Sequence, residues 1–597
     1  MSTPNNRRRD PGGLSSEMIL VCVLVGAGAA VGLGTWAALH LGHRINDSGA
    51  DVPGNPLEAI FGLIGGDVQW PGTAGWIVVG GLGAVILLLL VFFALLRRSV
   101  RKNSTRVDRA SQYMGRGRDI EEMSRKATEA KAKRLGVTDS PGVPIGRHVG
   151  SGGPLYGSWE DMHLDIWGPR TGKTTSRAIP AILDAPGAVL VTSNKRDVVD
   201  ATRGVREAHG EVWVFDPQEI TGETADWYWN PLSYVTDEVK AQKLAEHFAA
   251  SSTGDRKDAH FEDNGEDLLA GLLLAAAIAG RPITDVYTWL TKPGDDKPSD
   301  ILRDGGYALT ADQVSGIAAA PEKERGSIYS TARRMAGCLT YRHVAEWVTE
   351  PGMIGSRRHF DPDEFVQGKN TLYSLSKEGK GSAGPLVMAL TAAVVEAAEE
   401  LAATSPGGRL QTPLLGVLDE AANVCRWRQL PNLYSHYGSR GIVLMTILQS
   451  WSQGVDVWGE SGMNKLYSAA NVFVYGGGVK EKRFLEDLSS LVGNYDKETS
   501  SVSTGKGQRN VSRQLTKELI LEVSDLVAMP KGRAVVLGSG SRPTLIRTVP
   551  WQRSEHKDDV KASIARFDPQ GQVTITRTEE ELEENERELA QWEASTS

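Results

Sequence analysis

The chain has 597 residues, 40% of them hydrophobic and 23% charged, with a formal net charge of −8. That length exceeds what one core usually serves and predicts several domains, while the mild acidity excludes a generally basic nucleic-acid binder. Three cysteines (Cys22, Cys338, Cys425) lie far apart and the eleven histidines show no ligand spacing, so neither a disulfide framework nor a structural metal site is expected.

Two apolar stretches come first. Residues 18–39 and 76–96 carry no charged side chain. At about 1.5 Å per residue each reaches roughly 30 Å as a helix, the thickness of bilayer hydrocarbon. Transmembrane helices are therefore expected over 18–42 and 76–98, with a cytoplasmic N-terminus over 1–17 and an extracytoplasmic loop over 43–75. A cleaved signal peptide competes for the first stretch, but its length and the second span close behind it weigh against cleavage. Arg7, Arg8 and Arg9 precede the first span, residues 97–118 hold eight Lys/Arg against one Asp, and the loop 43–75 holds one Arg and four acids. The positive-inside rule then places a multi-pass protein in the inner (cytoplasmic) membrane with both termini cytoplasmic, its basic stretch facing lipid.

Residues 99–143 read as a polar linker, helical in part at "DIEEMSRKATEAKAKRL", and ordered structure is expected from 144. "MHLDIW", "GAVLVTS" and "EVWVFDP" read as strands, alternating with "KTTSRAIPAILDA" and "KRDVVDATRGVREAHG" as helices. That alternation predicts βαβ units and a parallel sheet. Residues 239–350 are helical throughout, an all-α domain inserted into an α/β domain formed by 144–238 and 351–552. The α/β pattern resumes with the strand "NTLYSLS", the helix "GPLVMALTAAVVEAAEELAA", and the strands "PLLGVLDE", "GIVLMTILQS", "NVFVYGG" and "GRAVVLGSG". Between the last two strands, "DKETSSVSTGKGQRNVSRQ" is polar and expected to be a loop. Residues 553–597 read as an acidic tail; its stretch 579–593 holds eight Glu and one Arg, with Leu582, Leu589 and Trp592 as a narrow apolar stripe. It is either solvated or a docking segment for a partner.

The chemistry concentrates in two places. "WGPRTGKTT" holds a Gly-Lys-Thr at the end of one strand and the start of a helix, as in the phosphate loop G-x-x-x-x-G-K-[ST]. The first glycine of that pattern falls on Trp167, and Gly168 stands one residue late. Gly168, Pro169, Arg170, Thr171, Gly172, Lys173, Thr174 and Thr175 are the expected nucleotide-binding residues. Backbone N–H groups would hold phosphate, Lys173 would reach the β/γ oxygens, and the Thr174 hydroxyl would join Mg²⁺. The bland alternative is a glycine turn with a solvated lysine. Against it, "LLGVLDEAANV" ends a buried strand in Asp419-Glu420, a pair suited to hold Mg²⁺ (Asp419) and to polarise the attacking water (Glu420). Two such motifs in this order predict a P-loop ATPase.

The run "PIGRH", "WGPRTGKTT", "VWVFDP", "WYWNPL", "LLGVLDEAAN", "GSRGIVLMTILQS" and "FLEDLSSLVG", over roughly residues 144–550, resembles the type IV secretion coupling proteins of the TraG/TraD-like family. The resemblance implies a membrane-anchored, RecA-like motor assembled as a homo-hexamer. Such a motor uses ATP and Mg²⁺ to drive relaxase-bound single-stranded DNA, or protein substrates, into a conjugation channel. Its implied partners are relaxase, DNA, channel components and membrane lipid. By position it implies that Gln449 senses the γ-phosphate and that Arg440 reaches a neighbour's nucleotide, although spacing leaves Arg426, Arg428 and Arg483 open for that last role. The stretch 193–197, "SNKRD", departs from the family pattern, retaining only Lys195. Two other readings compete: a double-stranded DNA translocase of the FtsK type, and a non-hydrolysing docking receptor for secretion substrates.

Overall fold

The computed structural model describes residues 33–49, 51–80, 83–84, 106–250, 259–351, 357–379, 381–505 and 508–595. Its strands, in chain order, are β1 (Val143–His148), β2 (Pro154–Gly157), β3 (His163–Ile166), β4 (Val189–Ser193) and β5 (Val212–Phe215). There follow β6 (Trp227–Tyr228), β7 (Arg358–His359), β8 (Thr371–Leu375), β9 (Leu414–Leu418) and β10 (Ile442–Leu448). The last are β11 (Val472–Tyr475), β12 (Asn494–Gly505), β13 (Gln508–Leu519), β14 (Arg533–Gly538) and β15 (Thr544–Arg547). The chain divides into two compact units, one drawn from 1–109, 494–519 and 590–597 and the other from 110–493 and 520–589.

The larger unit is built on an 11-stranded sheet in the order β2-β1-β15-β14-β11-β3-β10-β9-β4-β8-β5. From β11 to β5 every pairing is parallel, and β14, β15, β1 and β2 continue the sheet antiparallel. All residues of β3, β4, β8, β9, β10 and β11 are buried. Strands covered on both faces read as continuous apolar runs, which is why the parallel part was legible in sequence. Helices Ile179–Leu183, Asp197–Arg206 and Lys557–Phe567 contribute to a core with Val189, Val191, Val417 and Val443. A second core gathers Trp167, Val472, Val474, Val536 and Ile546 with Ile120 and Met123 from the preceding segment.

Between Glu238 and Val348 every described element is helical, from Glu238–Ala250 through Ala259–Ile278 to Arg342–Val348. The chain leaves and returns beside the short parallel pair β6–β7, where Trp213, Phe215, Trp227, Trp347 and Phe360 pack ring against ring. At the other end, the segment read as an acidic tail forms helices Lys557–Phe567 and Gly571–Ser595. Val560, Ile564 and Ile575 enter the core, and Glu579 and Glu586 pair with Lys561 and Arg553. Its acids thus meet cations of the same chain as well as solvent.

In the smaller unit, the described residues of "DKETSSVSTGKGQRNVSRQ" do not form a loop. They lie within the antiparallel pair β12–β13, whose register runs from Asn494↔Leu519 to Gly505↔Gln508. β-branched residues interleaved with polar ones (Thr499, Val502, Thr504, Val511, Thr516) suit an extended ribbon despite the low apolar content. The unit also holds helix Pro56–Gly65, which starts with the Asn55 side chain accepting from Leu57 N and stops at Gly66 (φ 86°).

The membrane placement expected from sequence is corrected here. Much of 18–42 and 76–98 lies outside the described residues, and among the described residues no helix is long and apolar enough to cross a membrane. The described residues 33–45 are helical. They also present His40 and His43, whose rings bond the carbonyls of Pro53 (3.1 Å) and Gln69 (2.7 Å). The expected multi-pass, inner-membrane location with two cytoplasmic termini is therefore withdrawn, and with it the lipid partner.

Candidate functional site

Three adjoining strands set the site. β3, β10 and β9 run parallel, with Ile166 opposite Leu448 and Thr446 opposite Leu418. Their carboxyl ends therefore open on the same edge of the sheet, where ligands of α/β proteins bind. The segments that follow are the lysine loop after β3, Gln449 after β10, and Asp419-Glu420 after β9. Residues far apart in sequence arrive together because β10 is inserted between β3 and β9.

The lysine loop is curled by two left-handed residues, Arg170 (φ 60°) and Gly172 (φ 91°). Thr171 Oγ1 donates to Gly168 O at 2.6 Å, and Thr175 Oγ1 donates to Gly172 O at 3.1 Å. Such a turn gathers backbone N–H groups toward an anion. A π-helical turn, Thr174–Ala178, follows and passes into helix Ile179–Leu183. Pro180 lacks the N–H that would bond Ser176 O, which favours the wider turn. Arg177 on that turn is fully buried and donates to both oxygens of Asp165 on β3 (2.6 and 3.3 Å), so the helix is clamped to the strand that feeds it. Burial, with the Arg177 charge beside it, holds His163 on the same strand well below its usual pKa.

Trp167 and Gly168 explain the departure from the usual phosphate loop. Trp167 is 0% exposed and sits in the second core, its ring so close to Gly476 that a Cβ there would lie 2.0 Å from it. It is a packing residue of the sheet. A Cβ on Gly168 would lie 2.3 Å from Gly478 O, so this glycine admits the backbone of the glycine run after β11. Gly168 N–H also donates to Gly477 O at 2.9 Å.

Lys173 meets the acidic pair. Its Nζ lies 3.0 Å from Asp419 Oδ1 and donates to Glu420 Oε1. Asp419 and Glu420 are each 3% exposed. Burial works to lower the Lys173 pKa, but the two carboxylates outweigh it and the net shift is upward. Burial raises Asp419, opposed by the Lys173 charge. Thr192 Oγ1, from β4, donates to Asp419 O at 3.3 Å and ties the turn to the sheet. Glu420 has left-handed backbone (φ 55°, ψ 41°). For a residue of this type that conformation costs about 1–3 kcal/mol and persists only where the surroundings hold it.

Gln449 joins the group, its Nε2 donating to Glu420 Oε2 at 2.6 Å. Asn423, which sequence reading passed over, donates from Nδ2 to the same oxygen at 3.3 Å. Its only sequence signal is its place three residues after Glu420. Arg440 is not brought to this cluster. It precedes β10, at the strand's opposite end, and pairs with Glu399. Arg428 lies 3.6 Å from Glu266, and Arg483 lies 3.9 Å from Glu460, both of these last two side chains being exposed. Lys195 is exposed beyond β4.

Residues 413–531 match the family described as the TraM recognition site of TraD and TraG. Among solved structures, the chain is similar to the unbound bacterial conjugative coupling protein TrwBdeltaN70, with TM-score 0.50, 17% identity, and coverage of 70% of this chain and 91% of that one. It is similar to the plasmid coupling protein TrwB in complex with ADP and Mg²⁺, with TM-score 0.50, 16% identity and coverage of 70% and 92%. TrwB bound to the non-hydrolysable ATP analogue ADPNP matches to the same extent, with TM-score 0.50 and 16% identity over 70% and 92%. No curated protein matches the chain. At this identity the structures establish a shared RecA-like fold, and with the family match the resemblance to TraG/TraD-like coupling proteins is borne out.

Proposed function

We propose that this TraG/TraD-like chain is an ATP-hydrolysing coupling protein of a conjugative type IV secretion system, handing relaxase-bound single-stranded DNA or protein cargo to the transfer channel. The observation that carries the ATPase reading is the convergence of Lys173, Asp419, Glu420 and Gln449 at neighbouring strand ends. Lys173 would exchange its carboxylate partners for the β/γ-phosphate oxygens of ATP, which the N–H groups of 170–175 would surround. Asp419 and the Thr174 hydroxyl would hold Mg²⁺, since a buried carboxylate with a hydroxyl is the oxygen donor set a hard cation takes. When bound, that ion neutralises phosphate charge. Glu420 Oε1, freed from Lys173, accepts the proton of a water whose oxygen bonds to the γ-phosphorus. The bond from that phosphorus to the bridging oxygen breaks, its electron pair stays on ADP, and inorganic phosphate leaves. Gln449 lies beside Glu420 to sense the departing group.

The same proposal takes 144–238 with 351–552 as the motor, 239–350 as an all-α domain and 553–597 as a C-terminal extension. It includes a homo-hexameric ring in which Arg440, remote from its own chain's cluster, serves a neighbour's nucleotide. A TraM-type protein is the proposed partner of 413–531, in keeping with the family description. Phosphate release from ATP by the purified chain tests the enzyme. Glu420→Gln should retain ATP yet turn over about 10²-fold or more slowly, and an unchanged rate removes Glu420 from its role.

A further inference from the structure

Glu420 carries two oxygens with different surroundings. Oε1 faces the Lys173 ammonium, while Oε2 receives two neutral amides, Gln449 Nε2 at 2.6 Å and Asn423 Nδ2 at 3.3 Å. A carboxylate turns readily about its last bond, so a base that must present one oxygen needs the other one held. Asn423 is placed to do this from both of its ends. Its backbone N–H donates to Glu420 O at 2.8 Å, closing the turn that follows the left-handed residue, and its side chain returns to the carboxylate of the same residue. Gln449 reaches from another strand, its own N–H bonded to Gln453 Oε1 at 3.1 Å.

We infer that Asn423 is a positioning residue for ATP hydrolysis: with Gln449 it anchors Glu420 Oε2, so that Oε1 is the atom offered to water once Lys173 moves to the phosphates. This rests on the ATPase reading above. In this role Asn423 acts through Glu420. The 3.3 Å contact is long for an N–H···O bond, as catalytic hydrogen bonds commonly are before substrate arrives.

Single-turnover cleavage of labelled ATP by the full chain is the test, with nucleotide affinity measured separately. Asn423→Ala should slow cleavage about tenfold, equivalent to about 1.4 kcal/mol, and leave affinity within about twofold. The decisive comparison is a double-variant cycle. In Glu420→Gln there is no carboxylate to aim, so adding Asn423→Ala should change the residual rate by less than about twofold. An equal loss in both backgrounds assigns Asn423 to the turn alone and overturns the inference. Asn423→Asp keeps the side chain's shape if the alanine variant does not fold. It sets a like charge against Oε2 and should be at least as slow, and a wild-type rate overturns the inference. Absence of cleavage by the wild type removes the ATPase reading itself. An active wild type with an equally active Asn423→Ala removes only the role given to Asn423.

Discussion

Replacing Lys173 with alanine should destabilise the nucleotide-free protein, apart from any effect on catalysis. Lys173 is 12% exposed in its side chain and sits against two carboxylates exposed at 5% and 3% in theirs. Removing one partner of a buried ion pair leaves uncompensated charge and costs about 3–5 kcal/mol. For a unit of roughly 450 residues, an unfolding entropy of about 2 cal/mol/K per residue converts this to a fall in Tm of about 3–5 °C. The pH dependence has a definite sign. Burial already raises the folded-state pKa of Asp419 and Lys173 holds it down, so losing the lysine raises it further. A raised carboxylate penalises folding fully above its folded pKa, and the penalty fades as pH falls toward the unfolded value of about 3.9. The Tm difference between wild type and Lys173→Ala, measured by calorimetry without nucleotide, should therefore be larger at pH 8 than at pH 5. Adding Asp419→Asn to Lys173→Ala should recover part of the loss at pH 8. A drop of the same size at both pH values, or no drop, refutes the buried-triad account.

Two further variants probe what surrounds the site. Trp167→Gly restores the usual first glycine of a phosphate loop but empties the second core of a fully buried indole. It should cost about 3–5 kcal/mol and leave ATP affinity no better, so tighter binding at unchanged Tm would contradict the packing role. His556 donates stability through Asp184, 2.9 Å away. That hydrogen bond raises its pKa against burial, with Glu555 and Asp559 adding to the effect. The contribution is complete below about pH 6.5 and is lost as pH rises through the raised folded value. His556→Gln should lower stability at pH 6 by at most about 1 kcal/mol and match wild type at pH 9. A deficit that grows with pH rejects the pair.

The parallel strands were readable because each is covered on both faces and so is apolar from end to end, and the helices between them announced themselves by period. The antiparallel β1 and β2 were not, being interrupted by turn residues such as Gly146 and Pro154, nor was β15, only four residues long. The ribbon β12–β13 has little apolar content to betray it. The expected membrane spans lie largely outside the described residues, and among the described residues no helix is long and apolar enough to cross a membrane. Trp167 looked like a defect in a motif because a phosphate-loop pattern records the loop alone, without the core beneath it.

What the residues alone determined is local: which side chains end each strand, that Gly172-Lys173-Thr174 opens a helix, and that Asp419-Glu420 closes an apolar run. These follow from short-range periodicity and the chemistry of each residue type. Tertiary structure decided which strand ends adjoin. The order β3-β10-β9 is set by long-range pairing that no local spacing encodes. That order brings Lys173 within 3.0 Å of Asp419 across 246 positions of chain, and it sets Gln449 from the intervening strand, with Asn423, on one oxygen of Glu420.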